Sequence, residues 1–355
     1  MNTFRKIVFA LAMGMIGGLG AQTASHLIEV KGIIEAAFSP NANIAALGGM
    51  DNNVYVMDVA TRKVVKKLES HTGMVTYLLF TLDGKTLYTG GGDGQVKVWN
   101  TADWSLIKTL GPNKGNVINM SVARDGSKIL VVTDDGSLKC WDLATNKMLY
   151  QLLGEKVMVK AAEFSADGTY FTTSSEVHNG KEYDAKTGAL KYAFEIPLHA
   201  LKTVRPSPNG VLIATASDVD DASLWDAKTG VRKMRLKSQA GYFHTLKWSA
   251  DGQTLVSGSF GNPPKVWSAT TGALICQFKG HTDAVNTVNF NNTATLVISS
   301  GYDNTAKIWD AKSGNLVKDL GEIDGTPATI SNFSPDGVYA YVITQDGTFR
   351  VYSVN

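Results

Sequence analysis

The sequence predicts an all-β protein built as a closed ring of eight four-stranded sheets. Three observations carry this: a tryptophan-centred period of 42 residues, paired turn signals inside every period, and the lack of any sustained helical period after residue 25. A chain of 355 residues would ordinarily divide into two or three domains, but a repeat running its full length argues for one. At 44% apolar and 19% charged, the composition is that of a folded protein.

The period is set by Trp99, Trp141, Trp225, Trp267 and Trp309, which stand 42, 84, 42 and 42 residues apart. Tyr183 fills the midpoint of the long interval. Stepping outward reaches Met57 at one end and, with one inserted residue, Tyr352 at the other. An aromatic column keeps the same step at Phe38, Phe80, Phe164, Trp248, Phe290 and Phe333, with Val122 and Pro206 as its exceptions. Three residues after it come turn pairs such as Asp83-Gly84, Asp125-Gly126, Asp251-Gly252 and Asp336-Gly337. A second turn follows the Trp-Asp position, as in Lys228-Thr229-Gly230. Gly and Asn supply the positive φ that hairpin turns need.

Between these turns the second repeat reads as four strands: Val75 to Phe80, Thr86 to Thr89, Val96 to Trp99 and Leu106 to Leu110. Each is short, mixes β-branched and aromatic residues, and stops at a turn signal. Four antiparallel strands per period make one blade of a β-propeller. A lone blade cannot bury both faces, so blades stack radially until the ring closes. The eighth repeat lacks a fourth strand, because Tyr352 lies three residues from the C-terminus. His26-Leu27-Ile28-Glu29-Val30 precedes the first repeat and is expected to complete that blade against Phe349 to Tyr352. This exchange would remove two exposed edges.

These residues resemble the WD-repeat (WD40) family, in a form found among exported bacterial proteins. Val96-Lys97-Val98-Trp99-Asn100, Lys307-Ile308-Trp309-Asp310, His71 and His281 carry the likeness, which spans the chain from about residue 26. It implies a buried His–Ser/Thr–Asp–Trp hydrogen-bond set, mapping to His71, Thr89, Asp93 and Trp99 in repeat two and to His281, Ser299, Asp303 and Trp309 in repeat seven. The His position holds Asn113, Glu155, Pro197 and Gln239 in repeats three to six, so packing is expected to hold those blades. A Ser–His–Asp combination can signal a hydrolase. Here it recurs with the repeat, whereas an active site occurs once, so the set reads as structural and no catalytic residue is assigned.

The N-terminus reads as a secretory signal: Arg5 and Lys6, an uncharged apolar run from Ile7 to Gly20, then small residues. Cleavage is placed after Ala21, leaving Gln22 first, with Ala24 as the later alternative. That divides the chain into a leader, 1–21, and one propeller domain, 22–355, in a periplasmic or secreted protein. An uncleaved N-terminal anchor is the competing reading. Loss of Arg5 and Lys6 takes the formal charge from +2 to zero, which removes any drive toward nucleic acid or anionic membranes.

Cys140 and Cys276 fall three blades apart, beyond the roughly 7 Å Cα separation a disulfide tolerates, and read as buried free thiols. No pair has zinc-ligand spacing. Asp218-Val219-Asp220-Asp221 is acidic enough to attract calcium but lacks the glycine and distal Glu of the known loop, and reads as a solvated turn. The Asp-Ala-Lys-Thr-Gly turns at 184–188 and 226–230 resemble those of quinone-cofactor propeller dehydrogenases, but the Trp that follows in those repeats is missing. No cofactor is assigned.

The leading expectation is therefore a monomeric, non-catalytic scaffold that binds a protein or peptide. Alternatives are an enzyme or small-molecule binder using the central channel, or a structural subunit of an envelope complex. In the family, the residues beginning the innermost strands and the residue before each turn Asp crowd one channel mouth. Carried over, these columns give Lys160, Glu176, Lys202, Asp218, Tyr242, His244, Phe260 and Tyr302 on blades four to seven as the partner site. The same columns place Met50 and Met74 on blades one and two.

Overall fold

The computed structural model describes residues 28–152, 159–175, 180–194, 201–217, 222–237, 242–260, 263–322 and 325–355. The leader assigned from the sequence, the acidic loop at 218–221 and residues Glu155, Pro197 and Gln239 lie outside them. The described chain is an eight-bladed β-propeller in which every blade has four antiparallel strands. Blade 2 shows the pattern: Val75–Phe80 innermost, then Thr86–Gly91, Val96–Asn100 and Leu106–Leu110 outermost. The innermost strands of the other blades are Ile33–Phe38, Val117–Val122, Val159–Phe164, Leu201–Pro206, Tyr242–Trp248, Val285–Phe290 and Ala328–Phe333.

The ring closes as the sequence predicts. Blade 8 consists of Ala328–Phe333, Tyr339–Thr344, Phe349–Ser353 and, from the other end of the chain, Ile28–Val30. The N-terminal strand pairs antiparallel, with Ile28 opposite Val351 and Val30 opposite Phe349. The Arg350 Nε sits 2.8 Å from a Glu29 carboxylate oxygen across that pairing. His26 and Leu27 fall outside the described residues.

Burial follows position in the blade. The second strand is sandwiched between neighbouring blades and is buried almost throughout, as at Leu212–Ser217 and Leu296–Gly301. The outermost strand is wet: Lys63–Glu69 buries only Leu68. The apolar clusters lie between blades. Ala46, Val54, Val56 and Leu68 of blade 1 meet Val75, Leu78, Leu87 and Trp99 of blade 2. Tyr341, Ile343, Phe349 and Val351 of blade 8 meet Ile33, Phe38 and Leu47 of blade 1, sealing the circle. Each such buried Val, Leu or Ile contributes roughly 1.5–3 kcal/mol, so the stacking interfaces are the main source of stability. Blades approach closely enough that a Cβ on Gly90 would lie 2.6 Å from Val117 Cγ1 of the next blade.

Both cysteines are free. Cys140 is buried as expected; Cys276 is only partly so, which corrects the sequence reading. It lies on an outer strand, Leu274–Gln277, where one face meets solvent. Its thiol still reaches the Ala311 carbonyl at 3.2 Å.

Candidate binding site: the channel and its two mouths

Five of the eight repeats close their second hairpin with an aspartate, at Asp51, Asp93, Asp135, Asp303 and Asp346; the sequence has Val177, Val219 and Gly261 at that position in repeats four to six. In blade 2, Asp93 accepts from the backbone N–H of Thr72 and Gln95 at 3.0 and 3.1 Å, and its carboxylate lies 2.9 Å from His71 Nδ1. His71 Nε2 lies 2.8 Å from Thr89 Oγ1, which accepts the Trp99 indole N–H at 3.1 Å. Thr89 must therefore give its proton to Nε2, leaving Nδ1–H to donate to Asp93. Burial holds the His71 pKa below its usual value despite the Asp93 charge, in keeping with a neutral ring. Blade 7 repeats the set at 2.8 Å (His281–Asp303), 2.7 Å (His281–Ser299) and 2.7 Å (Trp309–Ser299). Burial of Asp303 works against ionisation, but its bonds to His281, Thr282 and Thr305 prevail and hold its pKa at about 2. The two His side chains are 0% and 2% exposed, out of reach of any substrate.

The sequence missed a partial version of the set. Trp225 and Trp267 donate to Thr215 and Ser257 at 2.8 and 2.9 Å, in blades whose sequence has no His at the matching position. The signal was a hydroxyl residue ten positions before the Trp.

The innermost strands begin at one mouth of the channel, where the second hairpins also turn. In every blade the pairing slips by one residue there, between Ile33 and Glu35 in blade 1 and at each equivalent site around the ring. The extra residue of each bulge belongs to the column that holds Lys160, Lys202 and His244. In that column Thr76 reaches the Val117 carbonyl and Asn286 the Ala328 carbonyl of the next blade, so the bulge joins blades as well as shaping the mouth. Lys160 is half-buried on its strand. Lys202, Tyr242, His244 and Phe260 lie on described strands, and Tyr242 pairs directly with Phe260. Glu176 and Asp218 lie outside the described residues. Tyr302 is 44% exposed, as are Met50 at 40% and Met74 at 49% on the same mouth.

At the opposite mouth, where the innermost strands end in their Asp-Gly turns, a cavity of about 880 Å³ opens, with Leu82, Asp83, Arg124, Glu163 and Arg205 in its wall. Behind it the lumen carries a charged cluster that is not repeated around the ring. One column reads Ala37, Leu79, Ser121, Glu163, Arg205, Lys247, Asn289 and Asn332, so blades 4, 5 and 6 alone bring charge to it. Arg205 and Glu163 pair at 2.7 Å. Lys247 lies beside the Arg205 guanidinium, whose charge, with burial, pulls the lysine pKa down to about 7. Glu35, one step up the channel on blade 1, is raised to about 7 by burial. This cluster was legible only by reading the column across repeats; singly, each residue passes for the solvated face of a strand. Among the described residues, no group of three or more His, Cys, Asp or Glu could hold a metal ion. No helix among them is long and apolar enough to cross a membrane.

The profile of the WD domain, G-beta repeat family matches residues 62–100, 104–142 and 272–310. Three of the repeats are WD40 repeats. Each match ends on a third strand, at Asn100, Asp142 and Asp310, and two of the three cover a tetrad tryptophan. Solved structures share the fold. The C-terminal WD40 domain of Sif2 superposes with a TM-score of 0.85 at 14% identity, covering 95% of this chain and 99% of that one. The computationally designed Ika8 protein gives 0.80 at 22% identity, covering 92% and 99%. The β-propeller domain of Cps50 (Swd1) from Myceliophteria thermophila gives 0.66 at 19%, covering 80% and 98%. No curated protein matches the sequence. WD40 propellers are typically protein-interaction scaffolds.

Proposed function

We propose that this WD40 propeller is an exported, non-catalytic scaffold that holds a protein partner at the mouth where its innermost strands begin. The observation that carries the reading is the exposure of Met50, Met74 and Tyr302 at that mouth. Large apolar and aromatic side chains exposed beside a polar rim are what protein interfaces use as anchors. Lys160, Glu176, Lys202, Asp218, Tyr242, His244 and Phe260 extend the surface over blades 4 to 6. Export rests on the charged and then apolar N-terminus, with a mature chain from Gln22 in the periplasm or medium.

The test is capture of envelope proteins by the mature chain and by paired variants. Met74→Ala with Tyr302→Ala, Tyr242→Ala with Phe260→Ala, and Lys160→Glu with Lys202→Glu should each weaken capture more than tenfold, about 1.4 kcal/mol. Leu82→Ser, at the opposite mouth and 71% exposed, should leave capture unchanged. Capture that survives all three pairs would move the partner surface elsewhere. N-terminal sequencing of the exported chain checks the leader: a chain recovered with Met1 intact would overturn cleavage.

A further inference from the structure

We propose that Arg205 and Lys247, on adjacent blades of the channel wall, form a binding site for a single carboxylate group entering from the cavity mouth. The site lies at the other end of the channel from the partner surface and does not depend on it.

Two cations stand side by side here at equivalent positions of neighbouring repeats. Arg205 is tied on one side to Glu163 at 2.7 Å, and its side chain lines the 880 Å³ cavity. Lys247 has no hydrogen bond or ion pair to any described residue, although it lies within the ring. By contrast Lys307, whose side chain is also enclosed, is paired with Asp319 at 2.7 Å. An ammonium left unpaired beside a guanidinium is unfavourable by itself. An anion bridging the two cations relieves that repulsion.

Charge counting selects the kind of anion. The groups whose charges act on Lys247 are Arg205, Glu163 and Glu35, and Tyr77, which accepts from Asn119 at 3.3 Å, faces the same lumen. Arg205 and Glu163 cancel. Lys247 and Glu35 both titrate near pH 7. Below neutrality Lys247 is charged and Glu35 is not, so the lumen is singly positive. Above neutrality the reverse holds, and it is singly negative. A lumen with one net positive charge suits a monoanion such as a carboxylate, whereas a dianion such as sulfate exceeds what it can neutralise. The guanidinium fork also matches a carboxylate's two oxygens. The carboxylate can belong to a small organic acid or to the C-terminus of a peptide.

The test is calorimetric titration of the mature chain with N-acetylalanine, N-acetyl-trialanine, N-acetyl-trialanine amide and inorganic sulfate, at about pH 6 and about pH 8, on either side of the two titrations. The free acids should bind at the lower pH and weaken about tenfold or more at the higher one, with the amide and sulfate far weaker. Tighter binding of the tripeptide acid than of N-acetylalanine identifies a peptide terminus as the source; equal binding identifies a small acid. Lys247→Gln should remove most of the affinity at the lower pH. Lys247→Arg, which keeps its charge at both values, should lose less affinity at the higher pH than the native chain does, the remaining loss coming from ionisation of Glu35. The proposal is overturned if no acid binds, if the amide binds as well as the acid, or if affinity ignores both pH and Lys247. The conservative arginine variant keeps the test decisive even if the glutamine variant fails to fold.

Discussion

Blades 3 and 7 place a tryptophan at the same point of the same third strand, yet the two indoles meet different surroundings. In blade 7, Trp309 donates to Ser299, which is held by His281 and through it by Asp303. In blade 3, the position of Ser299 is taken by Val131, and the buried Trp141 Nε1 has no partner. Asn113, where the His would stand, turns away and donates to the Gly94 carbonyl at 2.7 Å, leaving its own Oδ1 unpartnered. Asp135, where Asp303 would stand, caps its own hairpin through Thr133 and the Ser137 N–H. A buried polar group left unpaired costs roughly 1–3 kcal/mol. Blade 3 nevertheless keeps the full register of its four strands. Interblade packing therefore specifies the blade, and the tetrad adds stability to a structure already determined.

If packing dominates, removing a strand must cost more than removing any tetrad member. Deleting residues 25–31 takes away the strand that pairs with Phe349–Ser353, together with Val30, which packs on the cluster between blades 8 and 1. The largest fall in Tm is expected here, measured by calorimetry. An unchanged Tm would break both the closure and the ranking. Next comes His281→Ala, which strands the Ser299 hydroxyl and the Asp303 carboxylate; about 3 kcal/mol is expected in denaturant unfolding. A loss below about 1 kcal/mol would reduce the tetrad to decoration.

Val131→Thr works in the opposite direction. It supplies the hydroxyl that Trp141 lacks and should stabilise by about 1 kcal/mol, the net value of one hydrogen bond. Adding Asn113→His, with Asp135 already in place, should extend the gain; destabilisation by the pair would show that blade 3 cannot accommodate the set.

The smallest effect concerns pH. Burial lowers the His71 pKa below 6.5, so in the window under 6.5 the unfolded chain takes up the proton first and stability falls as pH falls. The lowered Asp93 pKa continues the trend below 3.8, where protonation again favours the unfolded chain. The His71→Asn variant should be less stable near neutrality but show a flatter loss between neutrality and mild acid. A parallel slope would show that His71 does not carry the acid sensitivity.

The comparison also explains what the sequence disclosed. Period, turns and aromatic columns act within one repeat or between neighbours, so the count of eight blades and the borrowed strand could be read directly. The tetrads were legible because His71, Thr89, Asp93 and Trp99 recur at one spacing 210 residues later. The channel cluster was harder to see, because Glu163, Arg205 and Lys247 show as neighbours only when one column is read across three repeats, and Glu35 of blade 1 joins them only when the circle closes. Cys276 misled for a related reason: alternation along an outer strand does not report which face the solvent meets.

The three-residue clasp at Ile28–Val30 has a mechanical consequence. The chain enters it at Ile28, opposite Val351, and leaves the partner strand just beyond, at Asn355, so both ends emerge from the same edge of blade 8. Tension applied between the two ends would load the strand pair in an unzipping geometry, with its hydrogen bonds breaking one after another rather than sharing the load. A propeller held together by its stacked blades should therefore open at low force when Ile28 and Asn355 are pulled apart, beginning at Ile28 and Val351.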